Sequence, residues 1–121
     1  MSAKREWKYL ERDPHSSYKQ LSVKGRRIRA RTLYAATVGE ESMTPAEVAE
    51  NYDVPLEAVL EAIEYCEAKP IEIEQDYRYE QLLAEESGLN HPDYKFNPKK
   101  YYRPVPWEVR QRIRREAYGD E

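Results

Sequence analysis

The sequence has little cysteine, glycine or histidine, and it contains no long apolar run. The single cysteine, Cys66, excludes an intrachain disulfide framework. No uncharged stretch approaches the roughly 18 residues that a membrane-spanning helix needs. The opening MSAKREW lacks the apolar centre of a signal peptide. We therefore expect a cytoplasmic protein that does not contact a membrane.

The same scarcities argue against catalysis. The two histidines, His15 and His91, have no metal-ligand spacing to Cys66 or to each other. The four glycines form no phosphate-cradling loop, and no nucleophile elbow is present. We predict a protein that is not an enzyme, with no catalytic residue, no metal site and no cofactor.

Charge is abundant and apolar area is scarce. Charged residues make up 36% of the 121 positions, and the mean hydropathy is -1.01. Such a chain fits one domain with a small core. Partner surfaces then contribute part of the stability, and we predict a homodimer.

The net charge of -3 conceals three electrostatically different segments. Residues 1–32 hold ten Lys or Arg against three Asp or Glu, whereas residues 33–89 hold two against fifteen. Residues 90–121 return to a basic balance, with eight against five. This segregation predicts distinct basic and acidic surfaces.

The N-terminal pattern predicts two strand regions and a short helix. WKYLERDP is a candidate edge strand, and YKQLSVKGRRIRAR alternates around a Lys24-Gly25 turn, which is typical of a β-hairpin. Its inward side chains are Leu21, Val23, Ile28 and Ala30. Period two places Arg27, Arg29 and Arg31 in one outward row. Thr32 is expected to cap the helix LYAATV, which ends at Gly39.

A helix-turn-helix follows. Thr44-Pro45-Ala46-Glu47 is a capping box with proline at the first helical position. Asp53 stands at the turn, where a positive φ is required and aspartate tolerates it. A second helix is predicted from about Leu56 to Ala68, with an apolar face and an opposite, solvated glutamate stripe. The predicted apolar face is Leu56, Val59, Leu60, Ile63 and Cys66, and the stripe is Glu57, Glu61 and Glu64.

The remainder predicts one more helix and an arm. A helix is predicted for IEIEQDYRYEQLLAEES, which begins after Pro70 and ends at Gly88. An extended arm then runs to Val105, and a short basic helix covers about 106–117. The predicted fold class is mainly α, with a small N-terminal β-hairpin, a homeodomain-like or winged-helix-like core and an extended C-terminal arm. The predicted segments are 1–17, 18–88 and 89–121.

The core, LSVKGRRIRARTL followed by TPAEVAENYDVPLEAVLEAIEYC, resembles the bacterial domain-of-unknown-function family 433. Members carry a hairpin strand of the form G-T-R-I-P-V, a helix, and a helix-turn-helix that ends in an A-x-x-Y helix. The matching positions are Gly25, Arg27, Ile28, Glu47, Ala49, Tyr52, Val59, Ala62 and Tyr65. The match covers Tyr18 to Ala68. It departs from the family pattern at Arg26, Arg29 and Ala30, which makes the strand more basic.

The resemblance implies a helix-turn-helix fold. For some members it also implies an antitoxin of VapB type, which pairs with a PIN-like ribonuclease toxin and represses its own operon. Other members have no assigned role. The resemblance implies nothing for the C-terminal tail.

Two surfaces are candidates for binding DNA. The second helix of the helix-turn-helix carries glutamates on the face that a recognition helix turns toward the DNA phosphates. Because these charges repel each other, this helix is poorly suited to bind DNA. The hairpin is the better candidate, with Lys24, Arg26, Arg27, Arg29 and Arg31 facing operator DNA. The alternative is that these cations pair electrostatically with the acidic helices, within one subunit or across a dimer.

The tail interleaves aromatic rings with cations. We rank packing on its own subunit or dimer first, capture of a protein partner second and nucleic-acid binding third. The candidate partner-binding residues are Tyr101, Tyr102, Arg103, Trp107, Arg110 and Arg114. The leading hypothesis is an antitoxin-like regulator that binds a PIN-like nuclease through this region and its operator through the hairpin. The alternatives are an interaction module without DNA binding and a single-strand binder that acts through the tail.

Overall fold

A computed structural model describes residues 6–119. The chain divides into two compact units, with the boundary between Pro70 and Ile71. The described elements, in chain order, are β1 (Leu10–Arg12), β2 (Leu21–Val23), α1 (Ala30–Ala35), α2 (Pro45–Tyr52), α3 (Leu56–Glu67), α4 (Ile71–Ser87), α5 (Pro98–Tyr101) and α6 (Trp107–Tyr118). The predicted fold class is confirmed: a small antiparallel N-terminal sheet precedes a mainly helical chain. The predicted segments 1–17, 18–88 and 89–121 divide the chain differently, since α4 lies in the same unit as α6.

The N-terminal sheet pairs β2 with the upstream strand β1. The strands are antiparallel, with Leu10 opposite Val23 and Arg12 opposite Leu21. The predicted pairing of β2 with the segment after the turn is present only in reduced form, and β2 forms its regular ladder with β1. The turn itself is present, since Gly25 adopts a φ of 71° and the Val23 N–H donates to the Ile28 carbonyl at 2.8 Å.

The chain leaves the sheet after this turn because a helix begins. The downstream arm contributes only an isolated bridge between Ser22 and Arg29. The Arg29 carbonyl then accepts from the Thr32 N–H at 3.0 Å, and Arg29 is the N-cap of α1. Helix formation buries Ala30 and Leu33 completely. Thr32 thus lies inside α1 rather than capping it.

Local chemistry fixes the next helix as predicted. The Thr44 hydroxyl accepts from the Glu47 N–H at 3.2 Å, and the Glu47 carboxylate accepts from the Thr44 N–H at 2.9 Å. These bonds satisfy two backbone donors at the start of α2 and lower the pKa of Glu47, chiefly through the bond from the Thr44 backbone. Asp53 ends α2 in the left-handed region at φ 55°. The capping box and the turn residue are both confirmed.

Helix α3 is the centre of the N-terminal unit. It packs against α1, α2 and β1. The buried apolar residues of this unit are Leu10, Val23, Ala30, Leu33, Val48, Ala49, Val54, Ala58, Val59, Ala62, Tyr65 and Cys66. Many of them are alanine or valine, which allows close approach of the helices around a small core.

The C-terminal unit is built on α4 and α6, which pack together. Buried Asp76 accepts a 2.6 Å hydrogen bond from the Tyr118 hydroxyl, and Tyr79 packs 5.5 Å from the Tyr118 ring. Burial, together with this bond to Asp76, raises the pKa of Tyr118. The predicted basic helix is thus present as α6, and it belongs to a core.

The segment that connects α4 to α6 is less extended than predicted. It makes consecutive turns, contains α5, and becomes extended only from Tyr102. Gly88 ends α4 at φ 85°, and its Cα lies against the backbone carbonyl of Tyr101. The Arg103 N–H donates to the Ser87 carbonyl at 2.8 Å, which holds the segment on the end of α4.

We predict that Gly88→Ala destabilises the C-terminal unit far more than Gly25→Ala destabilises the N-terminal unit. Both glycines have positive φ, which costs an alanine about 1–2 kcal/mol. A methyl group at position 88 also collides with the Tyr101 carbonyl, whereas position 25 is open. Urea unfolding followed by circular dichroism measures both variants. Equal losses would show that the Tyr101 contact is unimportant.

Candidate functional site

The five predicted DNA-binding cations do not form one row. Lys24, Arg26 and Arg27 are exposed at the turn after β2. Arg29 is the half-buried N-cap of α1, and Arg31 lies within that helix. The outward row of Arg27, Arg29 and Arg31 is therefore wrong, because period-two spacing ends where α1 begins.

Arg26 is occupied by the protein itself. Its guanidinium donates to the carbonyl oxygens of Asp53 at 2.7 Å and Tyr52 at 3.0 Å. These carbonyls lie at the C-terminal end of α2, where a cation also meets the negative end of the helix dipole. Arg26 thus joins the β2 turn to the helix-turn-helix. No pattern in the sequence indicates this role.

The neighbouring cations also make contacts within the unit. The Arg29 guanidinium lies 4.7 Å from the centre of the Tyr18 ring, and Lys24 Nζ donates to the Trp7 carbonyl at 3.3 Å. Arg29 and Arg31 border a shallow depression of about 440 Å³ that also includes Tyr52. These contacts use carbonyl oxygens and an aromatic ring, so the predicted pairing of the basic residues with the acidic helices stays a prediction.

Helix α3 buries a different face from the one predicted. Val59 and Cys66 are buried as expected, but the other buried positions are Ala58, Ala62 and Tyr65. Leu56 and Leu60 are 41% and 48% exposed, and Ile63 is half-buried. Helix α3 packs against α1 and α2, and its buried alanines suit this packing because small side chains allow helices to approach closely.

The outward face of α3 combines two leucines in its N-terminal half with glutamates beside them and toward its C-terminal end. At 3.6 residues per turn, Leu56, Leu60, Glu57, Glu64 and Glu67 fall on one arc of the helix. All five are exposed. We call these five residues the α3 face. Helix α3 contains no lysine or arginine.

Glu61 was predicted to be a solvated surface residue, and that prediction is wrong. Its carboxylate accepts from the backbone N–H groups of Lys8 at 3.1 Å and Tyr9 at 2.9 Å. One turn later, the Tyr65 hydroxyl accepts from the Leu21 N–H at 3.2 Å, and the Tyr65 ring meets Trp7 edge-on. Glu61 and Tyr65 thus bind the N-terminal sheet to α3.

Cys66 occupies the buried side of α3. Burial raises the pKa of the Cys66 thiol to about 11, and the charge of Arg31 opposes part of this rise. A raised thiol pKa favours the protonated form at neutral pH, which suits a core position and disfavours reaction as a thiolate.

The predicted partner-binding residues of the tail separate into packed and exposed groups. The Arg114 guanidinium lies 4.7 Å from the Tyr118 ring and 5.3 Å from the Tyr79 ring, inside the C-terminal unit. Tyr101 is half-buried, with its ring stacked on His91 at 3.7 Å. Arg110 is half-buried, whereas Tyr102, Arg103 and Trp107 are exposed. Three of the six therefore remain as an exposed surface.

Two negative findings apply to residues 6–119. In this range no helix has the length and apolar character needed to span a membrane. Within the same range, no three His, Cys, Asp or Glu side chains are grouped as metal ligands would be.

Comparisons with protein-family models, with curated proteins and with solved structures found no match to this chain. The resemblance to family 433 therefore depends on the quoted residues alone. Among them, Ala62 and Tyr65 are buried in α3, and Ala49 is buried in α2.

We predict that Arg26→Ala destabilises the N-terminal unit and that Arg27→Ala does not. Losing two hydrogen bonds to the last carbonyls of α2 should cost about 1 kcal/mol, or roughly 4–8 °C in Tm for a unit of this size. Arg27 is an exposed neighbour of the same charge and serves as the matched control. Thermal unfolding by circular dichroism measures both, and equal Tm values would exclude the capping role.

We also predict that Cys66 in the folded protein reacts with iodoacetamide at pH 8 at least about a hundredfold more slowly than in the unfolded chain. A pKa near 11, against 9.0 for an unperturbed thiol, reduces the thiolate fraction by about that factor. Mass spectrometry of alkylation with and without guanidinium chloride gives both rates. Similar rates would place Cys66 at an accessible site.

Proposed function

We propose that this protein is a non-catalytic regulatory protein that acts by binding another polypeptide through the α3 face. The observation that carries the proposal is the pair of exposed leucines, Leu56 and Leu60, bordered by Glu57 and Glu64. Exposed apolar residues one helical turn apart form a recognition surface for a partner helix or segment.

The charge of the α3 face defines its partner. A second copy of α3 on this face would bring glutamates against glutamates, and like charges at an interface cost several kcal/mol. A segment that carries apolar residues flanked by lysine or arginine would cover the leucines and neutralise the glutamates. We therefore assign this face to a basic, amphipathic segment of a different protein. The predicted homodimer stays a prediction for other surfaces.

The same charges disfavour duplex DNA as the ligand of α3. In the usual docking of a helix-turn-helix, the second helix approaches the phosphates. Glu57 and Glu64 would meet those phosphates, and α3 contains no lysine or arginine of its own. Arg26, which could have compensated, donates to the end of α2. Operator binding through the exposed Lys24 and Arg27 is the second candidate function.

The resemblance of Tyr18–Ala68 to family 433 supports a more specific form of the proposal. In that form the protein is antitoxin-like and its partner is a PIN-like ribonuclease. Nucleases that handle RNA need cations near the phosphates, so a basic segment of such an enzyme is a chemically suitable partner for the α3 face.

We expect the neighbouring gene to encode a small PIN-like nuclease and the two proteins to co-purify after co-expression. Leu60→Ala should weaken this complex by about 2 kcal/mol, roughly 30-fold in Kd, as the loss of a central apolar anchor does. Val38→Ala is the matched control, because Val38 is also 48% exposed but lies outside α3. Isothermal titration calorimetry provides the affinities.

The charge of the α3 face is tested by Glu57→Lys combined with Glu67→Lys. This double variant should slow association and weaken the salt dependence of the complex. A complex unaffected by all α3 variants would refute the assignment. Tight binding of the isolated protein to its own upstream duplex, abolished by Arg27→Glu, would favour the operator role instead.

A further inference from the structure

A second exposed surface lies in the C-terminal unit, over residues 94–107. Its large side chains are aromatic, and three of them are well exposed: Phe96 at 76%, Trp107 at 69% and Tyr102 at 49%. Four exposed cations accompany them, namely Lys95, Lys99, Lys100 and Arg103. The sequence from 94 to 107 contains no aspartate or glutamate. We call residues 94–107 the aromatic–basic segment.

The segment brings rings and cations together in space. Tyr94, Pro98, Lys99 and Tyr102 line a depression of about 290 Å³. Lys95 Nζ lies 5.2 Å from the centre of the Phe96 ring. Each of these groupings places a flat apolar surface within one side-chain length of a positive charge.

The backbone of this segment is anchored to α4, so the arrangement is not that of a free tail. Tyr101 stacks on His91, its carbonyl lies against Gly88, and the Arg103 N–H binds the Ser87 carbonyl. Tyr102 follows Tyr101 directly and is presented outward. The anchored residues thus hold the exposed rings in a defined position, which reduces the entropy lost on binding.

We propose that the aromatic–basic segment binds single-stranded nucleic acid. Bases of a single strand stack on exposed aromatic rings, and a positively charged surface follows the phosphates. A nucleotide offers one base and one phosphate, and the segment offers rings and cations in alternation. Tyr94 and Tyr102 border the depression in which a base stacks, and Lys99 contacts its phosphate.

An acidic polypeptide fits this surface less well. Protein anchors combine aromatic residues with buried aliphatic contacts and few lysines. The segment has one aliphatic side chain, Val105, and three of its four cations are lysines. A nucleic acid strand can both stack its bases on the rings and neutralise the cations with its phosphates. A peptide carboxylate can only neutralise the cations.

The test is fluorescence anisotropy with labelled oligothymidine and oligouridine of about 12 nucleotides, within the usual site sizes. Four phosphate contacts predict a slope of log K against log salt near −3 for a single strand. Tyr102→Ala should weaken binding about tenfold, the effect of removing one stacked base. Tyr77→Ala, at a 53% exposed tyrosine on α4, should leave binding unchanged.

Charge variants separate specific phosphate contacts from general attraction. Lys99→Gln should reduce the salt slope by about 0.7. Arg112→Gln, at an exposed cation of α6 that lies 3.9 Å from Glu86, should leave the slope unchanged. Circular dichroism confirms that each variant is folded, and Tyr102→Phe, which keeps the ring, should bind like the unmodified protein.

Trp107 gives an independent measurement. In a Trp7→Phe variant, stacking of a base should quench the remaining tryptophan fluorescence in proportion to binding. Equal affinities of Tyr102→Ala and Tyr77→Ala would overturn the proposal, as would a flat salt dependence. Competition by a polyglutamate peptide as strong as that by the oligonucleotide would assign the surface to acidic polypeptides instead.

Discussion

The N-terminal unit depends on helix α3 being used on several sides at once. One side packs alanines, Val59 and Cys66 against α1 and α2, and another presents Glu61 and Tyr65 to the backbone of the N-terminal sheet. If Glu61 were replaced, the backbone N–H groups of Lys8 and Tyr9 would lose their hydrogen-bond acceptor. The residues on both of these sides of α3 are therefore needed for the fold. The remaining arc lies at the surface, yet it carries two leucines. This contrast is why we regard the α3 face as a binding surface.

Features set by neighbouring residues could be predicted from the sequence. The capping box needs only Thr44 and Glu47, and the left-handed turn needs only a residue that tolerates it, Asp53. The closure of α4 at Gly88 is of the same kind. In each case the interacting groups lie within one helical turn of each other, so the amino-acid types determine the geometry. The acidity of α3 and the basic, aromatic character of the tail were visible for the same reason.

Features set by distant residues could not be predicted. Alternation correctly indicated β2, but only the folded chain shows that its regular ladder is with β1 and that the segment after the turn adds a single bridge. The roles of Arg26 and Glu61 depend on backbone groups that lie 26 or 27 positions from Arg26 and 52 or 53 positions from Glu61. The sequence pattern predicted that Leu56 and Leu60 lie on the buried face of α3, whereas both are exposed. The decisive residues were Ala58 and Ala62, whose small size admits a neighbouring helix but gives a weak signal in the sequence.

The bond between Tyr118 and Asp76 spans 42 positions, and this separation affects synthesis in the cell. As the ribosome extends the chain, α4 is synthesised before α6. Until Tyr118 is added, Asp76 and Tyr79 lack the contacts that this residue makes with them. The contacts described for the N-terminal unit are by then all translated, so that unit can already fold. The incompletely synthesised C-terminal unit is therefore the part of the chain that chaperones or proteases would bind during translation.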